Sequence, residues 1–187
     1  MSDAPEMAQW IGQLANPDLA VRTAAAAQLY REGAALASSA TNGWMNRREF
    51  RALVRSPEPV VGIAVEPQAF EAIRAANGSP RLADVPPDQD AKEFELPLAG
   101  AHFDILTTRE PEGDGAIARY LRKFGAGIQQ IEIAVSHVGR ATAILRAGFG
   151  LEPVYPATRP GADATRVNFF LVPAQGKKVL VELVEAG

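Results

Sequence analysis

Four side chains that can supply oxygen ligands or move protons fall within stretches of alternating apolar residues. They are Asp104, Gln130, Glu132 and Glu182. Successive side chains of a strand point to opposite faces, and in each stretch the bulky aliphatic residues take one face while these four take the other. General acid–base chemistry needs a carboxyl group in a poorly solvated place, and Glu182, between Leu180 and Val184, suits that requirement. The alternative is that all four are solvent-facing positions on a half-exposed sheet.

A repeated pattern along the chain would position these side chains. Residues 56–110 and 125–187 each open with an apolar strand and a helical pattern, and each closes with a strand that has one acid between apolar neighbours. Both copies read strand, helix and three strands. We therefore predict an α+β fold in which two tandem βαβββ modules form a curved, mixed-sheet half-barrel. If the two sheets curl toward each other, the four polar side chains converge in one cleft.

Turn residues predict where elements end within each module. Asn77-Gly78-Ser79-Pro80 and Gly148-Phe149-Gly150 end the two module helices. The short segments that follow them, 81–85 and 151–155, are each predicted to be the second strand of their module. A further helix is predicted at 116–124, between the modules.

Residues 1–55 have a helical rather than an alternating pattern. Four apolar residues lie at helical spacing: Met7, Trp10, Ile11 and Leu14. Asn16-Pro17-Asp18 predicts an N-cap, a first-turn proline and a first-turn acid, and the alanine-rich segment 19–36 favours a helix. The stretch 16–26 resembles the start of a HEAT repeat. We predict a helical appendage, 1–55, that covers an edge of the main domain, 56–187; binding of a partner protein is the alternative.

Composition excludes several functional classes. The chain has 187 residues, 47% of them hydrophobic, and a net charge of -3, which argues against nucleic acid as a main partner. No apolar run approaches the roughly 18 residues that a membrane span requires, and the first residues lack the pattern of a secretory signal. The absence of cysteine excludes disulfides and thiolate metal sites. We expect a cytoplasmic protein that binds no membrane.

Several segments in order resemble the vicinal oxygen chelate superfamily, and most of all its methylmalonyl-CoA epimerases. The segments are 85–89, 116–128, 159–162, 165–171 and 179–185. The first is Val-Pro-Pro-Asp-Gln, and the last is Val-Leu-Val-Glu-Leu-Val-Glu. The resemblance implies that residues 56–187 form a glyoxalase-like domain of paired modules, in agreement with the two copies of the pattern.

The resemblance also implies a metal site whose ligands come from the first and last strands of each module. Carried over, these positions are Val60, Asp104, Gln130 and Glu182. Valine cannot ligate a metal, so the implied set is Asp104, Gln130 and Glu182, with Glu132 as a nearby substitute. Oxygen ligands suit hard divalent cations such as Mg²⁺ and Mn²⁺, and Co²⁺ is the other metal to test. The replacement of the superfamily's histidines by Val60 and Gln130 weighs against a bound metal.

The implied chemistry is proton transfer at a carbon next to a carbonyl. In the epimerases a base removes the proton α to a thioester and an acid returns a proton on the opposite face. Glu182 matches one of these two acids, and Asp88 is the candidate for the other, although Pro87 could equally hold that position. Candidate substrate-binding residues are Arg166, Asn168 and Glu132, with Arg159 near the entrance.

Two functional classes remain open for the main domain. The first is an epimerase-like isomerase or lyase acting on a small-molecule carbon acid. The second is a metal-free binding protein on the same scaffold, of the kind that sequesters antibiotics, and the missing histidines favour it. Modules of this superfamily often pair edge to edge, so a homodimer is also predicted as an assembly to test.

Overall fold

The computed structural model describes residues 4–187, so the first three residues of the predicted appendage lie outside the described part of the chain. Its six α-helices are α1 Ala4–Gln13, α2 Leu19–Ala40, α3 Arg48–Arg51, α4 Pro67–Ala76, α5 Ala116–Phe124 and α6 Val138–Phe149. Its strands are β1 Val60–Ala64, β2 Ala91–Leu98, β3 Ala101–Thr108, β4 Gly127–Ala134, β5 Arg159–Pro160, β6 Arg166–Ala174 and β7 Lys177–Glu185. The predicted α+β class is confirmed.

The chain divides into two compact units. The first unit contains the residues up to Gly33 together with Val60–Gln129, and the second unit contains Ala34–Pro59 together with Gln130–Gly187. Each unit therefore holds one predicted module and one part of the N-terminal helical region. The predicted boundary between residues 55 and 56 stays a prediction.

The sheet of the first unit is mixed. Strand β1 runs parallel to β3, and β2 pairs antiparallel with β3. Val61, Ile63 and Phe103 share one face and are fully buried, where Phe103 packs edge-on against Tyr30 of α2 at 6.1 Å between ring centroids. Asp104 alternates to the opposite face, as predicted from the sequence.

Helix α2 begins two residues later than the sequence predicts. The predicted N-cap was Asn16, but the helix starts at Leu19, and the Asp18 carboxylate accepts the backbone N–H of Ala20 at 2.8 Å. Asn16 instead accepts the backbone N–H of Asp18. Both residues can cap a helix, and the proline between them does not decide which one does.

Helix α2 approaches strand β1 closely at Gly33. A Cβ atom built on Gly33 would lie 2.4 Å from Cγ2 and 3.2 Å from Cβ of Val61, whose side chain is fully buried. Val61 is β-branched and stiff, so it cannot move aside cheaply. Glycine at this helical position is therefore explained by the close approach, despite its poor helix propensity.

Replacement of Gly33 by alanine is expected to destabilise the protein by up to about 2 kcal/mol. Overpacking costs about 1–3 kcal/mol, and helix propensity offsets about 1 kcal/mol of that cost. Gly12 in α1 is the matched control, because nothing lies within 4 Å of a Cβ built there, so Gly12→Ala should be neutral or stabilising. Chemical denaturation of both variants measures the difference, and equal effects would contradict the argument.

The sheet of the second unit repeats this arrangement. Strand β4 runs parallel to β7, β6 pairs antiparallel with β7, and the two-residue strand β5 pairs antiparallel with β6. Trp44 packs against Phe50, Phe149 and Phe170, with ring centroids 5.5–6.5 Å apart. Aromatic side chains from both the N-terminal region and the second module thus build one core.

The predicted second strands of both modules are not formed as strands. Residues 81–85 lie between Pro80 and Pro86, and their one backbone bond to a neighbouring strand joins the Ala83 N–H to the Glu93 carbonyl. Residues 151–155 contain a proline and make the corresponding bond from the Val154 N–H to the Phe169 carbonyl. Proline has no N–H to donate, so Pro80 and Pro86 interrupt a ladder at the ends of the first segment, and Pro153 interrupts it within the second.

Candidate functional site

The second unit brings two of the predicted site residues into direct contact. Gln130 on β4 donates a hydrogen bond from Nε2 to Oε2 of Glu182 on β7, at 2.6 Å. Gln130 is 9% exposed and Glu182 is 8% exposed. A hydrogen bond of this length fixes the orientation of the buried carboxyl group.

Glu132 lies directly opposite Glu182 in the parallel pair of strands. Residues at such positions point to the same face of the sheet, and Glu132 is half-buried. On the other side of β7, Phe169 of β6 is the register partner of Glu182. The Glu182 carboxyl group therefore stands in a row between a second acid and an aromatic ring.

Tyr155 and Arg159 extend this row toward the edge of the second unit. The ring of Tyr155 packs edge-on against that of Phe169, with centroids 6.0 Å apart. The guanidinium carbon of Arg159 lies 4.4 Å from the centroid of the Tyr155 ring. We refer to Gln130, Glu132, Glu182, Phe169, Tyr155 and Arg159 together as the Glu182 face.

Arg166 and Asn168 share a face, as the sequence predicts, but it is the face opposite to Glu182. Asn168 is the register partner of Leu183, is only 1% exposed, and donates to the Tyr155 carbonyl at 3.2 Å. Arg166 is exposed and donates to the Thr158 hydroxyl. The structure therefore does not bring these two predicted substrate-binding residues together with Glu182.

Asp104 and Asp88 belong to the first unit. Asp104 is 6% exposed and has Gly62 and Glu95 as its register partners on β1 and β2. Asp88 is exposed on a single turn of 3-10 helix, Pro87–Gln89. The convergence of either acid with Glu182 stays a prediction.

The loop that contains Asp88 is held by Asp90, which sequence reasoning did not single out. The Asp90 carboxylate accepts the Thr108 hydroxyl at 2.8 Å and the backbone N–H groups of Arg109 and Glu110 at 3.2 and 3.1 Å. Asp90 has a φ of 43°, in the left-handed region that aspartate tolerates better than most residues. No local pattern in the sequence indicates these contacts, because they join residues 18 to 20 positions apart.

Tyr120 anchors the start of the strand that carries Gln130. Its hydroxyl donates to the Ile128 carbonyl at 3.0 Å, and a Cβ on Gly127 would lie 2.9 Å from that hydroxyl oxygen. Burial raises the pKa of Tyr120 to about 12. The phenol therefore stays protonated at neutral pH and acts as a structural donor.

Comparison with known proteins identifies the fold. No family model matches the chain, and no curated protein matches it. Among solved structures, the methylmalonyl-CoA epimerase from Mycobacterium tuberculosis is similar to the chain at 32% sequence identity and a TM-score of 0.55, over 68% of this chain and 85% of the epimerase. The chain belongs to the vicinal oxygen chelate superfamily.

Other solved structures match at lower identity. A variant of the Streptomyces coelicolor methylmalonyl-CoA epimerase, in complex with 2-nitronate-propionyl-CoA, has 25% identity and a TM-score of 0.57, over 72% of this chain and 96% of that one. A hypothetical protein from Bacillus halodurans C-125 has 24% identity and a TM-score of 0.56, and at that identity it supports the fold alone.

The residues at the superfamily's metal positions do not fit a metal centre built on histidine. Val60 has no ligand atom, and Gln130 presents its amide nitrogen, rather than its oxygen, to Glu182. In the part of the chain that the structure describes, no group of three or more His, Asp and Glu side chains could hold an ion. We therefore derive no chemical step through a metal.

The two histidines of the chain do not supply the missing ligands. His137 caps helix α6, because its Nδ1 accepts the backbone N–H of Arg140 at 3.2 Å. His102 is exposed on β3.

Within residues 4–187, no helix is both long and apolar enough to cross a bilayer. The longest, α2 with 22 residues, contains two arginines and a glutamate.

Proposed function

We propose that the chain is an epimerase-like isomerase that acts on a carbon acid next to a thioester carbonyl. The observation that supports it is the buried Glu182 carboxylate, held by Gln130 on the concave-facing set of positions predicted from the sequence. A carboxylate that is partly shielded from water and fixed by one strong donor is suited to remove a proton from carbon.

In the proposed reaction, Glu182 removes the proton α to the carbonyl, and the resulting enolate is reprotonated on its opposite face. Gln130 holds one carboxylate oxygen of Glu182 by a hydrogen bond, and the same contact sets the direction in which the other oxygen points. Asp88 is our candidate for the acid that returns the proton, on the basis of its position in the superfamily pattern. A lyase that begins with the same proton removal is a variant of this proposal.

The bound molecules of the similar proteins support the substrate class. One similar structure is a methylmalonyl-CoA epimerase in complex with methylmalonyl-CoA, at 25% identity and a TM-score of 0.56. The Streptomyces coelicolor variant contains 2-nitronate-propionyl-CoA. We extend this class, acyl thioesters of coenzyme A, to the present chain as the first set of compounds to test.

The wild-type protein is expected to catalyse exchange of the α-proton of methylmalonyl-CoA with solvent deuterium. Mass spectrometry after incubation in D₂O measures the exchange against a protein-free sample, and propionyl-CoA tests whether the activating second carbonyl is needed. The assay is run with chelator, and again with added Mg²⁺, Mn²⁺ or Co²⁺. Absence of exchange with every thioester under all these conditions would remove the proposal.

A metal-free binding protein is the second candidate function. Two features favour the binding protein: Val60 replaces a histidine of the superfamily, and Gln130 is hydrogen-bonded to Glu182. A site with these residues would lack the cation on which the superfamily's chemistry depends. This function predicts a rise in Tm with an acyl-CoA, no α-proton exchange, and no rise in Tm with Mn²⁺ or Co²⁺. A homodimer and a cytoplasmic location belong to either proposal.

A further inference from the structure

Arg159 lies on the same face of the second unit's sheet as Glu182. It pairs with Val167 across β5 and β6, and Val167 pairs with Val184 across β6 and β7. Directly paired residues of antiparallel strands share a face, and residues two apart on one strand share it too. The side chains of Arg159, Val184 and Glu182 therefore leave the sheet on one side.

The aromatic pair between Arg159 and Glu182 fixes the arginine in place. Its guanidinium carbon stacks on the Tyr155 ring at 4.4 Å, and that ring packs against Phe169, the register partner of Glu182. Stacking on an aromatic face suits guanidinium better than ammonium. Both Tyr155 and Arg159 are half-buried.

The spacing suits a small acyl group. Two strand separations and two residues along the strand place the Cα atoms of Arg159 and Glu182 about 12 Å apart. The two long side chains shorten this gap, and a three- or four-carbon acid with an anionic end spans what remains. Guanidinium binds a carboxylate through two parallel hydrogen bonds, which fixes orientation as well as position.

We propose that Arg159 is the cation of this site and binds an anionic carboxylate on the acyl part of the substrate, so that the site prefers carboxyacyl thioesters to neutral ones. This inference rests on the proposed function for the class of substrate, an acyl thioester. In this proposal the guanidinium group of Arg159 supplies the positive charge that a metal ion would otherwise supply. The preference for a carboxylate then depends on a residue of the two-residue strand β5, Arg159–Pro160.

Calorimetric titration with malonyl-CoA and propionyl-CoA tests the proposal, because these thioesters differ by a terminal carboxylate. The wild type is expected to bind malonyl-CoA at least about 10-fold more tightly, as one charge-assisted pair allows. Arg159→Met should remove the preference and leave the affinity for propionyl-CoA unchanged, and Arg159→Lys should keep part of it. Arg140→Met, which removes an exposed arginine of α6, should bind like the wild type.

Three results would overturn the proposal: equal wild-type affinities, a preference that survives Arg159→Met, or no binding of either thioester. The deuterium-exchange assay separates this outcome from failure of the proposed function. Exchange that continues unchanged in Arg159→Met removes the role of Arg159 and leaves the isomerase. A carboxylate preference that depends on Arg159, in a protein without exchange, removes the isomerase and leaves a selective binding site.

Discussion

Glu182→Gln is expected to lower the rate of α-proton exchange in methylmalonyl-CoA by at least about 100-fold, since a positioned general base contributes about 10²–10⁴ to such rates. The amide has the shape of the acid but cannot accept the proton from carbon. The substitution should also preserve the fold, because the new side-chain oxygen can accept the Nε2–H of Gln130 that Glu182 now accepts at 2.6 Å.

The matched control for this substitution is Glu152→Gln. Glu152 is in the second unit but is exposed, and it pairs with Arg146 at 3.1 Å on the surface, so its loss should leave both exchange and folding near the wild-type values. Circular dichroism and thermal unfolding confirm that Glu182→Gln is folded before its rate is compared. Exchange at the wild-type rate in folded Glu182→Gln would exclude Glu182 as the base.

The face on which the polar residues lie could be predicted from sequence because strand periodicity is local. Glu132 and Glu182 are found on one face, and the apolar residues that alternate with Glu182 are buried on the other, including Val181 and Leu183 at 0% exposure. The direct contact between Gln130 and Glu182 could not be predicted. It depends on the register of β4 against β7, which joins residues 52 positions apart.

Strand β6 marks the limit of this reasoning. Arg166 and Asn168 were correctly predicted to share a face. The other face of the strand carries Val167, Phe169 and Leu171 and is wholly apolar, so periodicity alone would favour it as the covered face. Phe170 lies on the same face as Arg166 and Asn168 and is fully buried against Trp44. That face is therefore the covered one. The covering residue comes from a part of the chain that no local pattern in β6 reveals.

The contacts of loop residues were the least predictable. Arg159 reaches the Glu182 face through a strand of only two residues, which is too short for an alternating pattern to be recognised. Asp90 acts through three hydrogen bonds to the end of β3. Such contacts depend on where a loop folds back, and composition alone does not contain that information.

The N-terminal region was predicted to be a helical appendage that covers an edge of the main domain. In the structure, the segment 34–59 shares its aromatic core with the second module. Its backbone also joins the module, since the Arg55 N–H donates to the Ala134 carbonyl and the Ser136 N–H donates to the Leu53 carbonyl. The stability of the module should therefore depend on side chains from this segment.

Trp44→Ala is accordingly expected to destabilise the protein by about 3–5 kcal/mol, the usual cost of removing a buried large aromatic side chain. Trp44 is only 2% exposed and contacts Phe50, Phe149 and Phe170. The alanine would leave a cavity between the N-terminal segment and α6 and β6, whose rings cannot close it without leaving their own packing positions. Equilibrium unfolding in urea measures the loss.

The other tryptophan of the chain provides the control. Trp10 in α1 is only half-buried, so Trp10→Ala removes a side chain of the same size from a site that water already reaches, and its cost should be well below that of Trp44→Ala. If residues 1–55 folded as a separate appendage, Trp44→Ala would melt that segment and leave the transition of residues 56–187 in place. A single transition shifted to lower urea would instead require that Trp44 belongs to the core of the module that carries Glu182.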